Sequence, residues 1–311
     1  ETNTPNGYTY TPSITMNGGT MNVAAINKHT PATVDVAGSK TWSGDNPQQR
    51  PSVVKLWLKQ NGKRIQSQLV TSDTSGNWKY SFTGLPKHYR DGNETKDYTY
   101  TVEEDYTEGY VPSTSDPAVV TDANGNDTST INVTNEYYPY GDISLTKSIT
   151  DTTATKESKN KKFTFMLTLR KKVGTDSNGA AIWQYDAGTY SWTRTNKNDL
   201  DTDLADTGTI ANGGKVSLYE GETITVHKVA SSYDYEWTED GSDGFTVGTS
   251  TNMTGTVRSS KTQTAAASVD NVYKTVGSVQ LEAKKTLTGH AMRMNQFQFE
   301  VQDTAGNVVR A

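Results

Sequence analysis

Lysine, glutamate and asparagine recur in one order along this chain, each on the apolar side of an alternating segment. In "VDVAGSKTW", Val34, Val36, Gly38, Lys40 and Trp42 share one face of a period-two pattern. In "YTYTVEED", Tyr98, Tyr100, Val102 and Glu104 share a face, while Glu103 and Asp105 point away. In "INVTNEY", Asn135 lies with Ile131, Val133 and Tyr137. The set then repeats. Lys147 lies with Ile143, Leu145 and Ile149, Glu239 with Tyr233, Tyr235 and Trp237, and Asn271 with Val269 and Tyr273. The Glu-to-Asn spacing is 31 residues in the first set and 32 in the second.

Taken singly, an inward polar residue reads as a bulge, a misphased strand or a lysine that snorkels to the surface. Two ordered sets argue for chemistry. Desolvation disfavours an ammonium, so a buried lysine can become a neutral nucleophile. It also keeps a buried carboxyl protonated and able to donate to an asparagine carbonyl. The amine then attacks the carboxamide carbon, the acid shuttles protons and ammonia leaves. The product is a Lys–Asn isopeptide crosslink. Folding that holds the groups at attack distance supplies on the order of 7–11 kcal/mol. Such a reaction is a single turnover of the chain on itself, so the expectation is a self-crosslinking protein and not an enzyme.

The elements that would position these groups are short strands. Runs such as "VVKLWLKQ", "NWKYSFTGL", "KFTFMLTLR" and "TITVHKVA" are separated by the turn signals "QNGK", "TSGN", "DANGND" and "ANGGK". No helical period stands out. The expected fold is all-β, a tandem series of Ig-like β-sandwiches. Hydrophobic residues make up 32% of the 311, which is low, but their ordering into alternating runs argues for many small strands rather than disorder. The chain has no cysteine, which excludes disulfides, thiolate catalysis and cysteine-ligated metals. A net charge of −5 without long basic runs argues against nucleic acid. No stretch reads as a membrane span or a leading signal peptide, so no membrane insertion is expected in this segment.

Residues 33–139 resemble the B-type (Cna B-like) domain of the Gram-positive collagen adhesin, found in surface adhesins and pilins. The resemblance rests on "KTWSGD" at 40–45, "RPSVVKLWLKQNGK" at 50–63, "GNWKYSFTGLPK" at 76–87, "YTVEED" at 100–105, "EGY" at 108–110 and "VTNEY" at 133–137. It implies a β-sandwich in which Lys40 and Asn135 are bonded and Glu104 is the catalytic acid. Residues 140–276 resemble the same class of pilin-like sandwiches more loosely, with Lys147–Asn271 as the bond and Glu239 as the acid. The stretch "NKNDLDTDLADTG" departs from that pattern and leaves the strand count there open.

The ends read as parts of further domains. Residues 1–32 look like the C-terminal half of a preceding B-type domain, with Glu1 as a candidate acid and Asn27, in phase with Val23 and Ala25, as an acceptor. Residues 277–311 look like the N-terminal part of a further pilin-type domain, with Lys285 in phase with Leu281, Ala283 and Leu287. Lys285 and Asn27 are unpaired candidates. The alternative is that the two end pieces complement each other, within one chain or head to tail.

Other motifs carry less. "TDANGNDTS" at 121–129 holds calcium-type ligands but lacks a closing glutamate, so a hairpin turn is the better reading. His29, His88, His227 and His290 are scattered without ligand spacing and read as surface residues. No metal and no cofactor is expected. The leading functional expectation is a stalk or backbone repeat of a Gram-positive surface adhesin or pilus, extracellular and cell-wall anchored through a part outside this segment. Its partners would be neighbouring domains of the same array. The alternative is a ligand-binding adhesin module for a host matrix protein, cell-surface ligand or glycan. An accessory domain of a secreted glycosidase fits less well, because no paired carboxylates phase together.

Overall fold

The computed structural model describes residues 8–151, 160–197, 204–241, 244–273, 280–304 and 306–310. Among these residues the chain is all-β, apart from one 3-10 turn at Pro47–Gln49. Two packed pairs of sheets account for its two apolar cores.

In the first pair, the lysine strand Thr33–Ser43 lies inside a six-stranded sheet. On one side it meets the asparagine strand Val133–Tyr137 and, further along, Asp127–Thr130, both parallel to it. On its other side Trp78–Pro86 runs antiparallel. The second sheet places Val54–Gln60 between Lys63–Val70 and the acid strand Tyr100–Glu104, antiparallel to both. Alternation puts Val36 and Val133 of one sheet against Leu56 and Leu58 of the other, all fully buried. The phase that buries Val34 and Val36 also buries Lys40, which is 3% exposed.

The second pair repeats this plan. The lysine strand Tyr140–Asp151 lies between Thr223–Ala230 and the parallel asparagine strand Thr264–Tyr273. The facing sheet carries Phe163–Thr175 and the acid strand Asp234–Glu239. Ile143, Leu145, Leu167, Leu169, Ile224 and Val226 close the core between them. Lys147, in phase with Ile143 and Leu145, is fully buried.

Several strands carry no clear alternating signal in the sequence. Lys63–Val70, Ala118–Thr121 and Ala181–Tyr185 run along sheet edges and expose most of both faces, so little of their pattern is apolar. Residues 198–203 of the stretch whose strand count the sequence leaves open lie outside the described residues, and on either side Thr189–Thr195 and Thr207–Ala211 complete one edge of the second lysine-strand sheet.

The two ends have no packed second layer among the described residues. Tyr8–Asn17 and Thr20–His29 form one long hairpin, closed by Gly18 and Gly19 at positive φ. Asn27 was expected to face inward with Val23 and Ala25, yet all of Thr20–His29 is exposed. A two-stranded ribbon has no second layer, so neither face is an interior. At the other end, 281–287 is not a strand, and Leu281 and Lys285 are exposed rather than turned to a core. A strand needs a neighbour to pair its backbone groups, and the described residues of this unit, Thr275–Ala311, pair only as Val301–Gln302 with Val308–Arg310. The Lys285 ammonium lies 4.7 Å from the centre of the Phe297 ring. Glu1 lies outside the described residues.

Gly38 is where the first lysine strand passes from one parallel neighbour to the other. Ile131 N donates to Ala37 O there at 2.9 Å, and the Ile131 carbonyl accepts the Tyr80 hydroxyl. A Cβ on Gly38 would fall 1.8 Å from the Ile131 oxygen, a backbone atom that cannot swing aside. Gly38→Ala should therefore destabilise the first sandwich by about 3 kcal/mol. Urea unfolding followed by tryptophan fluorescence checks this, and an unchanged midpoint would contradict the close approach.

Candidate functional site

The two lysine sites are built the same way. In the parallel ladder of the first sandwich, Lys40 lies opposite Val133 and Trp42 opposite Asn135. In the second, Lys147 lies opposite Val269 and Ile149 opposite Asn271. In both cases the asparagine sits two residues beyond the lysine's direct partner, on the same inward face. That diagonal of about 7 Å suits a long lysine chain leaning along its strand. The acid comes from the facing sheet, where Glu104 lies opposite Leu56 and Glu239 opposite Phe165.

At the first site Asn135 Nδ2 donates to Glu104 Oε1 at 2.7 Å, and Lys40 Nζ lies 3.4 Å from Glu104 Oε2. One carboxyl thus spans the amine and the amide nitrogen. At the second site Asn271 Nδ2 donates to Glu239 Oε1 at 2.5 Å. Each lysine also donates to the carbonyl of the residue after it, Lys40 to Thr41 at 3.2 Å and Lys147 to Ser148 at 2.6 Å. Both amide oxygens, Asn135 Oδ1 and Asn271 Oδ1, are buried without a hydrogen-bond partner. An aromatic face covers each amine: Trp42 at 4.2 Å from Lys40 Nζ and Phe163 at 4.3 Å from Lys147 Nζ.

Burial dominates the electrostatics. It pulls the Lys40 amine down from its ordinary 10.5 to about 8, with the Glu104 charge working in the opposite direction. Lys147 comes down to about 8 for the same reason, opposed by Glu239. Burial pushes Glu239 up, against the Asn271 hydrogen bond and the Lys147 charge. Each shift moves a group toward its neutral form.

Residues 36–136 match the Cna protein B-type domain.

The B-type segment therefore holds the whole first site. Residues 141–273, which hold the whole second site, match a different family, a domain of unknown function designated DUF7601. The collagen adhesin of Staphylococcus aureus is 37% identical over 127 residues, covering 40% of this chain and 9% of the adhesin. The chain thus spans only a small part of that curated relative. Among solved structures, two B repeat units of the collagen-binding protein of Staphylococcus aureus are 22% identical, covering 88% of this chain and 57% of theirs at a TM-score of 0.30. The major pilin T3.2 of Streptococcus pyogenes is 16% identical, covering 77% of this chain and 98% of its own at a TM-score of 0.33.

Around the B-type site the structure adds residues that sequence phasing passed over. Thr107 Oγ1 donates to Glu104 Oε1 at 2.7 Å. Arg50 binds Asp45 through two hydrogen bonds, and Tyr110 donates to the same carboxylate at 2.9 Å, bracing the aromatic cluster of Trp42, Trp78 and Tyr110. In the second sandwich Arg194 is buried against Glu222 at 2.5 Å and also donates to the Ser217 and Ala205 carbonyls. The Glu222 carbonyl in turn accepts the backbone N–H of Lys147 at 3.1 Å. Alternation in "TYSWTRT" does place Arg194 beside Trp192, but an arginine breaks the apolar pattern and hides the strand.

The remaining candidates resolve individually. Asp122 accepts from the backbone N–H groups of Asn124 and Asn126, so "DANGN" is a side-chain-capped hairpin turn. His29, His88 and His290 are exposed. His227 differs from the surface reading: it is half-buried between Asp142 and Thr193, because its strand lies inside a sheet.

Removing Arg194 would take its cation from the buried Glu222 carboxylate, which also accepts the Tyr219 N–H at 2.9 Å. Arg194→Met should cost the second sandwich about 3–5 kcal/mol, and the double change with Glu222→Met should recover much of it. Chemical denaturation of the two variants checks this. Equal losses in both would contradict the pairing.

Proposed function

We propose that this segment is a structural stalk or backbone repeat of a Gram-positive surface adhesin or pilus, held by two intramolecular isopeptide bonds, Lys40–Asn135 and Lys147–Asn271. Its sandwiches would span 33–139 and 140–276, with neighbouring domains of the same array as partners. The setting would be extracellular, in a protein anchored to the cell wall. One observation carries the reading. Two segments that match different families place asparagine at the same two-residue offset from lysine on a parallel neighbouring strand, with the asparagine amide on an acid of the facing sheet in both.

The chemistry follows from the first site's geometry. The neutral Lys40 amine attacks Asn135 Cγ, forming the Nζ–Cγ bond. Glu104 takes a proton from Nζ through the oxygen that faces it and gives one to Nδ2 through the other. The Cγ–Nδ2 bond breaks and ammonia leaves, with the acid restored. The second site would react likewise through Glu239.

The mechanical consequence depends on which strands are tied. Each bond would join the first strand of a sandwich to the last, which lie side by side and parallel. Tension along the array would then run from one bond to the next, and the strands between them would not be drawn out. By analogy with a disulfide closing a loop of similar length, each bond stabilises by roughly 4–5 kcal/mol through the unfolded chain. A covalent staple of this kind suits a chain with no cysteine.

Intact mass tests the reading. The chain should be lighter than its sequence by two molecules of ammonia, with one restored by Lys40→Ala and one by Lys147→Ala. Glu104→Ala and Glu239→Ala should each keep the fold and block their own bond. A full sequence mass in folded protein would contradict the proposal.

The reactive state holds one proton between acid and amine, on the acid. Raising the pH above about 8 removes it by deprotonating Lys147, and lowering the pH adds a second once Glu239 is protonated. The rate of the second bond should therefore be bell-shaped, falling above about pH 8, with an acid limb above the ordinary carboxylate range. Timed mass spectra of freshly made protein across pH check this. A rate that climbs steadily to pH 10.5 would contradict it.

A further inference from the structure

The first sandwich holds its acid partly through a loop that the second sandwich grips. Thr107 Oγ1 donates to Glu104 Oε1, the same oxygen that accepts Asn135 Nδ2. Thr107 lies in the loop after the acid strand, and Ser259 of the second sandwich brackets it on both sides. Gly109 N donates to Ser259 Oγ at 3.0 Å, and Ser259 N donates to the Tyr106 hydroxyl at 3.1 Å. Ser259 is itself buried, and the residues beside it are fixed to their own sandwich. Val257 N donates to Tyr233 O at 2.8 Å and Ser260 N to Tyr140 O at 3.0 Å. An open cleft here is lined by Glu104 and Tyr106 on one side and by Ser259 and Thr262 on the other.

We infer that Ser259 is a positioning residue for the first crosslink, so that the second sandwich assists a reaction carried out inside the first. This rests on the isopeptide reading above. Ser259 holds the 106–109 loop, the loop holds the Thr107 hydroxyl on Glu104, and that hydroxyl keeps the carboxyl turned between Lys40 Nζ and Asn135 Nδ2. The reaction is otherwise unchanged: the Nζ–Cγ bond forms, the Cγ–Nδ2 bond breaks and ammonia leaves. Misplacing a reacting group by about an ångström costs on the order of a hundredfold in rate, and a loosened loop permits part of that. Among the described residues the Glu239 carboxyl meets Asn271 and Lys147, both of the second sandwich, and the second link serves as the reference. The consequence is an order of closure, with the first bond completed once its neighbour has docked.

The test uses the full chain, made by cell-free synthesis, quenched in denaturant at intervals and digested. Mass spectrometry then measures the Lys40–Asn135 and Lys147–Asn271 linked peptides in the same sample, the second serving as the internal reference. Ser259→Ala combined with Tyr106→Phe should slow the first link about tenfold and leave the second unchanged. Thr107→Ala should slow the first link similarly, and Thr107→Ser should restore it. Lys261→Ala removes the neighbouring ion pair with Glu136 and the contact of its amine with the Tyr138 ring, and should leave both rates alone. A first link that forms at the unsubstituted rate in the double variant would overturn the inference. So would Lys261→Ala slowing it equally, which would reduce Ser259 to general docking. Absence of either linked peptide from the unsubstituted chain would overturn the crosslinking reading itself, a separate outcome.

Discussion

Two lysine amines placed in dry interiors constrain everything else in these sandwiches. An ammonium without water is costly, and a single carboxyl does not repay the loss. Burial shifts both lysines toward the neutral amine, bringing them down from 10.5 to about 8. It also leaves a carboxamide oxygen unpartnered at each site. Buried polar groups left unmatched are rare in folded proteins and call for an explanation. A bond between amine and carboxamide would remove the charge and retain one compact amide.

Seen this way, the sheet order has a purpose. The first and last strands of each sandwich are parallel neighbours, and the acid strand belongs to the opposite sheet. The three side chains therefore converge across the core from two layers, with aromatic rings closing over each amine. The two sandwiches solve the problem with different aromatic residues, Trp42 from the lysine strand itself and Phe163 from the facing sheet. Common register with different surroundings points to the triad as the feature that is held constant.

Much of this was legible in the residues. Period-two phasing placed Lys40, Lys147, Glu104, Asn135 and Asn271 inward, because one buried face imposes a strict alternation on every residue of a strand. Phasing could not supply the two-residue offset, which depends on how distant strands pair. It also passed over edge strands such as Lys63–Val70, where neither face is strongly apolar, and Arg194, whose charge breaks the pattern it belongs to. Thr107 and Ser259 were illegible for another reason: they lie in loops, where no period applies. At the ends Asn27 and Lys285 alternate with apolar residues in the sequence, and among the described residues both are exposed.

The most direct test is the chemical state of the lysine nitrogens in the folded chain. With lysine labelled at Nζ by nitrogen-15, two nitrogens should resonate as secondary amides, each carrying one proton and each coupled to an asparagine carbonyl carbon. They should disappear one at a time when Lys40 or Lys147 is replaced. If every lysine nitrogen in well-folded protein instead resonates as an amine or ammonium, the two buried triads are unreacted polar clusters and the account of a covalently stapled stalk is wrong.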